Sequence, residues 1–523
     1  MSSIGQTIRG SHQPLLTEQA AQRTLPKRRI LPFILTVSLA LMLGAVLALL
    51  TTMPMAWLAL SCLAVCGGLM VTIWNWTQLP LWPVLRFGLI FCFSFRLEIN
   101  FFADKKTHAE PAGLNVSLAL LLAMLLTALK LAENRQAMKR ERIVPTGFAV
   151  TFGALVLWCA VSVLYGSEYL MGAYALFGVL TSGMICYAAA ICFSDTNALR
   201  QAVLAAACAV GFSGLIGLLQ YQFGIATDWS ILGSIAEDRV QKIADGDVSR
   251  VAGLLTMANA FGWYLVAFLP LLIAPALLQL RQLRLTEKAA LMAAVGLGSI
   301  ALILTYARGS WISFVISMAA LSLLAYRATA SAERRRYVWR MGGILALVTL
   351  LALPFAPMIY TRLTEDDRGA AESRLPLMEV ATGMISDNPL LGVGLSAYET
   401  EMRRYDQTNE KITDDFDWPV HNIFLHIAAE SGIPALLLLL LLIAMAVWRA
   451  WPVIQSQNPM LRAQAVGLLT GLLAYLLTGL KELGSLGSGQ HRILFLLLGL
   501  LLAAAQAEQR DRQKAGNFTE PQA

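Results

Sequence analysis

The sequence predicts an all-α polytopic membrane protein with about 14 transmembrane helices and one large outer loop. Three observations carry that prediction. Of 523 residues, 57% are hydrophobic and only 14% are charged, and the mean hydropathy is +0.62, far from the values of a soluble domain of this length. The apolar residues fall in runs long enough to cross a hydrocarbon core of about 30 Å. The Lys and Arg residues behind the net charge of +7 sit in short clusters between those runs, which is how charge sets membrane orientation and not how a nucleic-acid surface is built.

Taken in order, residues 1–29 are polar and end in Lys27-Arg28-Arg29 without a cleavage site leading to a soluble domain, so they read as a cytoplasmic tail and not as a secretory signal. Apolar runs then begin near residues 31, 55, 82, 114, 146, 169, 199, 250, 288, 309, 341, 421, 461 and 489. An even number of spans starting inside puts both termini in the cytoplasm. The clusters Arg135/Lys139/Arg140/Arg142, Arg281/Arg284/Lys288, Arg327/Arg334/Arg335/Arg336/Arg340, Arg449/Arg462 and Arg510/Arg512/Lys514 all fall on the side of the N-terminal tail, as the positive-inside rule requires. The weakest point is Tyr306-Ala307-Arg308-Gly309-Ser310, which divides one long apolar stretch into a ninth and a tenth span.

The chain thus divides into a tail at 1–29, an N-terminal bundle at 30–249, spans at 250–359, a large outer loop at 360–420, C-terminal spans at 421–507 and a cytoplasmic tail at 508–523. Shorter outer segments are expected at 100–113 and 223–249. A loop as long as 360–420 with no hydrophobic core of its own is expected to be functional. Within it, Leu377–Ser386 reads as a short helix stopped by Asp387-Asn388-Pro389, Gly392-Val393-Gly394 as a tight turn, and Ala397–Tyr405 as a second helical piece. All seven cysteines lie in apolar runs, so they read as small helix-interface fillers and not as disulfides or thiolate ligands. No Gly-x-x-x-x-Gly-Lys-Ser/Thr loop occurs, which argues against a primary ATP-driven pump.

Chemistry in such a chain belongs to polar groups near the outer helix ends, because ionisable residues at membrane depth are costly unless paired or functional. His421 and Asn422 open the twelfth span just after Asp414, Asp415 and Asp417. Imidazole suits proton transfer near neutral pH, and the free N–H groups of a helix start favour an anion. A histidine that merely caps the helix is the competing account. His426 is turned about 140° from His421 on an ideal helix, which disfavours a shared metal. Asp415-Phe416-Asp417 has the acid-x-acid form that some glycosyl transferases use to hold a divalent cation; the better use for Asp415 or Asp417 is to orient the His421 ring. Glu430, followed by the helix-breaking Ser431-Gly432-Ile433-Pro434, is expected to bond freed backbone or to pair with an arginine. Arg250, Arg308 and Arg374 are placed to grip phosphate oxygens in bidentate geometry, against the alternative of snorkelling to the interface. Asn259 is expected to hold helices together.

In combination these residues resemble the bacterial O-antigen ligase and O-antigen polymerase superfamily. His421-Asn422-x-x-Leu425 with Glu430-x-Gly432, preceded by Asn388-Pro389-Leu390-Leu391-Gly392-Val393-Gly394, is similar to its signature region, and Arg250-x-x-Gly253 with Asn259, and Ala307-Arg308-Gly309, to its upstream arginine motifs. The resemblance implies a GT-C-like fold and a glycan transferase of the bacterial inner membrane, with its active site at the periplasmic face and the large loop periplasmic. It implies a donor glycan on undecaprenyl pyrophosphate, a glycan or lipid A-core acceptor, and neither cofactor nor metal. Carried over, Arg250 and Arg308, with Arg374 on a weaker match, would bind the pyrophosphate. His421 would act as base on the acceptor hydroxyl or within the phosphate site, with Asn422, Glu430, Asp417 and Asn259 in support. Protein O-glycosylation stays open, as does a secondary transporter or lipid flippase. The absence of a visible internal repeat and the crowding of charge at the outer face disfavour transport.

Overall fold

The computed structural model describes residues 81–95, 97–102, 113–136, 144–223, 250–255, 257–329, 333–364, 374–409 and 411–517. The expected spans near 31 and 55, the N-terminal tail, most of the segment 223–249 and the basic side chains from 135 to 142 lie outside those residues. Ten described helices are long and apolar enough to cross a membrane, and each corresponds to one of the last ten expected runs.

The two runs before them differ. The run near 82 is α1 (Leu81–Phe91), whose 11 residues span only about 16 Å. The chain then enters an antiparallel hairpin of β1 (Glu98–Phe101) and β2 (Leu114–Ser117), with Ile99 opposite Val116. The run near 114 therefore begins as a strand and becomes helical only at α2 (Leu118–Gln136). Polar residues hold the hairpin: buried Arg492 donates to Glu98 Oε1 at 2.7 Å and to Asn115 Oδ1 at 2.5 Å, so strand residues, not a continued helix, satisfy that guanidinium.

The spanning helices are α3 (Thr146–Tyr165), α4 (Tyr169–Cys192), α5 (Thr196–Phe223), α6 (Ala258–Leu278), α7 (Leu285–Leu304), α8 (Arg308–Ala328) and α9 (Arg334–Ala352), which continues through a 3-10 turn into α10 (Ala356–Thr364). The loop pieces α11 (Arg374–Asp387), α12 (Tyr398–Glu401) and α13 (Ile412–Asp415) precede α14 (Ile423–Ala450), α15 (Pro459–Gly479) and α16 (His491–Asn517). Helix α6 is the centre of the bundle, buried almost throughout, and packs on α15, α7 and α8. The α6–α15 approach depends on small residues: a Cβ on Gly471 would stand 2.3 Å from the Ala267 carbonyl oxygen, and one on Gly467 2.7 Å from Leu271 Cα. This is the Gly-x-x-x-Gly device that lets apolar helices touch backbone to backbone where no hydrophobic force drives them together.

Tyr306, at φ 55°, turns the chain between α7 and α8, so the divided stretch is two helices. Starts of α6, α8, α14 and α16 and ends of α3, α5, α7 and α15 share one end of the bundle with the large loop. Arg281, Arg284, the Arg334–Arg336 run, Arg449, Arg510 and Arg512 belong to the opposite helix ends. Helix α16 is continuous to Asn517, so the expected tail at 508 is largely its last turns.

The large loop does have a core, contrary to expectation. Leu377, Val380, Ala381 and Met384 of α11 pack with Val393, Tyr398, Met402, Ile412 and Val420. Asp406 organises its far side by accepting from the N–H and hydroxyl of both Thr408 and Thr413 at 2.5–2.9 Å. The apolar spacing of α11 supplies one stripe, and the short pieces after it supply the cover.

Candidate active site

Helix α14 breaks where the sequence demands. Gly432 takes φ 81°, ψ 166°, which leaves carbonyls without helical partners. The Asn388–Gly394 turn supplies them: Val393 N–H donates to Ala429 O and Gly394 N–H to Glu430 O, both at 2.9 Å, while Ile433 N–H donates back to Pro389 O at 2.9 Å. Ser162 of α3 adds its hydroxyl within reach of Leu391 O at 2.9 Å and Glu430 O at 3.1 Å, and accepts from Leu395 N–H. Two motifs forty residues apart in the chain are thus a single joint, which fixes the loop on the bundle.

Above that joint the chain enters α14 through His421 and Asn422. The Asn422 carboxamide oxygen accepts from Phe424 N–H at 3.0 Å and Leu425 N–H at 3.2 Å. The helix start is therefore capped by its own side chain, and those two N–H groups are not left for an anion, as had been expected. His421 is partly buried, and among the described residues its Nδ1 has no hydrogen-bond partner. Burial, then the nearby Arg374 guanidinium and His426, push its pKa down to about 4 against the pull of the Pro419 carbonyl, so the ring is neutral at pH 7.

The arginines come from four elements. Arg250, ahead of α6, donates from Nε to Thr305 O at 2.9 Å and from Nη2 to Asn259 Oδ1. Three residues on, the backbone of Gly253 is clamped by Gln220, which accepts from its N–H at 2.8 Å and donates to its C=O at 2.7 Å. Arg308, the first residue of α8, donates to Arg362 O at 3.4 Å, and Arg362 of α10 donates to Tyr306 O at 3.5 Å. Arg374 opens α11 and is close enough to His421 to act on its charge. Burial, with Arg362 nearby, lowers the Arg250 pKa to about 10 against the opposing pull of Glu482, so its guanidinium stays charged at neutrality.

Glu482 sits among them. It lies between α15 and α16, with Asn259 Nδ2 at 3.5 Å from its Oε2 and Arg374 and Arg250 close enough to act on its charge. Burial outweighs those cations and the Asn259 bond and raises its pKa to about 7. Its neighbour Lys481 runs along Gly309, next to Arg308.

The structure therefore brings together Arg250, Asn259, Arg308, Arg374 and His421. Asn259 is the second residue of α6, and its carboxamide bonds Arg250 and reaches toward Glu482. Asp417 is half exposed and pairs with Arg403 at 3.1 Å, not with His421. Among the described residues Glu430 pairs with no arginine. It is buried beside His426, whose Nε2 is 3.3 Å from Glu430 Oε1 without the angle of a hydrogen bond. Sequence reasoning missed Arg362, Lys481 and Glu482, although each is a charge at the outer end of a span, the criterion that had picked out Arg250 and Arg308. Among the described residues no group of three His, Cys, Asp or Glu side chains is placed to hold a metal ion.

Comparison with known families bears on this cluster. Residues 293–440 match the protein-family model described as O-antigen ligase. That stretch is similar to O-antigen ligases. The matched residues include Arg308, Arg362, Arg374, the Asn388–Gly394 turn, His421, Asn422 and Glu430. Arg250, Asn259 and Glu482 lie outside the matched residues and are joined to one another through the Asn259 carboxamide. No curated protein matches the chain.

Proposed function

We propose that this protein is a membrane glycan transferase of the O-antigen ligase or polymerase type, moving a glycan from undecaprenyl pyrophosphate to an acceptor hydroxyl at the periplasmic face of the bacterial inner membrane. The observation that carries the reading is the convergence of Arg250, Arg308, Arg362 and Arg374, from four separate elements, beside a neutral histidine. Planar guanidiniums suit the paired phosphates of a lipid pyrophosphate, and their fixed charge favours the charge that grows as it leaves.

In the proposed step the acceptor oxygen attacks the reducing-end sugar carbon. The new C–O bond forms as the bond to the phosphate oxygen breaks, and the pyrophosphate departs with the bonding pair into the arginine cluster. The hydroxyl proton passes to His421, whose unpartnered Nδ1 can accept it because the ring is neutral. Asn422 fixes the helix start and therefore the ring's position, and Asn259 fixes the Arg250 fork. Holding two substrates in line supplies much of the rate in such a reaction.

The basic clusters at the opposite helix ends support the outward orientation of the site. The break in α14 does not favour transport: its freed carbonyls are taken by the loop's N–H groups, where a transporter would turn them to an ion. Whether the acceptor is another lipid-linked glycan, lipid A-core or a protein hydroxyl is a matter of which of them is elongated. The test is to incubate purified protein with a lipid-pyrophosphate-linked oligosaccharide and each acceptor and to weigh the products. The reading predicts an acceptor heavier by one glycan and release of the lipid pyrophosphate; movement of the lipid across vesicles without a new bond would overturn it.

A further inference from the structure

A site built for an anion should exclude carboxylates, yet Glu482 stands inside this one. The groups that act on it are cationic or polar. Arg250 and Asn259 reach it from the start of α6 and Arg374 from the start of α11. Beyond these, Arg362 of α10 acts on Arg250, Lys481 precedes it on its own connection and lies against Gly309 beside Arg308, and Arg374 also acts on His421. The Asn259 carboxamide links the acid to the arginine, its oxygen taking the Arg250 N–H and its nitrogen turned toward Glu482 Oε2.

We propose that Glu482 is the proton-linked member of the anion site: as a carboxylate it balances Arg250 and Arg374 in the free protein, and it takes up a proton when a pyrophosphate binds those guanidiniums. This rests on the reading that the arginines bind the donor's pyrophosphate, and it deepens that reading by coupling occupancy to protonation. The physical reason is that two anions sharing the same cations cannot both stay ionised without cost. The proton comes from solvent, resides on the carboxyl while the phosphates are bound and returns to solvent when they leave. Once protonated, Glu482 offers an O–H donor to a phosphate oxygen in place of a repelling charge. That burial already holds the free carboxyl near neutrality means little further shift is needed.

The sign follows from linkage. Binding that takes up a proton weakens as pH rises above the free pKa of about 7, by up to about tenfold per pH unit.

The test is titration of the purified full-length protein in detergent with inorganic pyrophosphate at pH 7.5, in two buffers of different ionisation enthalpy, for the wild type and Glu482→Gln. Pyrophosphate itself titrates, so the quantity read is the difference in protons taken up. The wild type is expected to take up a substantial fraction of one proton more than Glu482→Gln, and at pH 8 the variant should bind about tenfold more tightly, the two Kd values converging by pH 6. Glu482→Asp, which keeps the titrating group, should retain the extra uptake and guards against a folding loss in the amide variant. Equal proton counts in wild type and Glu482→Gln, with binding intact and abolished by Arg308→Ala, would overturn the role of Glu482 and leave the arginine site standing. Absence of any pyrophosphate binding that Arg308→Ala removes would overturn the arginine site itself.

Discussion

The carbonyl oxygen of Leu390 occupies the place where a side chain on Gly432 would begin: a Cβ built there would stand 1.8 Å from it. Gly432 is therefore needed twice, for a backbone conformation open essentially only to glycine and for the closeness of the loop to α14. Gly432→Ala is expected to lift the Asn388–Gly394 turn off the helix break, at a cost of at least about 3 kcal/mol. Limited proteolysis should cut the loop between 365 and 420 faster in the variant, and transfer activity should fall with it.

Replacing Arg308 by Lys keeps the charge and removes the planar fork. The expected loss is about a hundredfold in kcat/KM, the scale seen when a preorganised donor to developing charge is removed. Steady-state kinetics with a lipid-linked donor would measure it, and near-normal transfer would count against a bidentate role.

Two pKa values predict the pH profile. His421, held near 4 by burial and Arg374, stays neutral down to mildly acidic pH, so kcat/KM should show no histidine ionisation between pH 6 and 7 and should fall only toward pH 4. Glu482, held near 7, becomes an anion above that value and opposes donor binding, so kcat/KM should decline on the alkaline side. Glu482→Gln should remove the alkaline limb and leave the acid limb in place.

Asp406 has the opposite linkage from Glu482. Burial would raise its pKa, but the hydrogen bonds from Thr408 and Thr413 outweigh that and hold it at about 2 instead of 3.8. A depressed carboxyl stabilises the fold above its unfolded value, and that contribution disappears as pH falls from about 4 through about 2. Asp406→Asn should cost the loop about 1–2 kcal/mol at neutral pH. Hydrogen exchange of the 398–420 amides, compared at pH 7 and at pH 3 after correction for intrinsic rates, should show the difference shrinking at the acid end.

Much of this was legible in the chain because membrane spans announce themselves by length and hydropathy, and because helix stops are local. The break at Gly432, the stop at Asp387-Asn388-Pro389 and the division at Tyr306–Arg308 each follow from residues within a few positions of one another. What was not legible depends on contacts between distant segments. The hairpin at 98–117 exists because Arg492, almost four hundred residues away, needs Glu98 and Asn115. The pairing of Asp417 with Arg403 and not His421 is set by how the loop core folds its short pieces. The His426–Glu430 pair is different: its i, i+4 spacing on one helix is visible in the sequence alone.

The central claim is that the arginine cluster and His421 act on one substrate pair. The most direct measurement is a double-mutant cycle on initial transfer rates by purified protein: wild type, Arg308→Ala, His421→Ala and both together, with a lipid-pyrophosphate-linked glycan and its acceptor. The account predicts that each single change removes most of the rate and that the double variant is little worse than the poorer single one, because groups that serve one transition state are strongly non-additive. Full activity in either single variant, or losses that simply multiply, would contradict it.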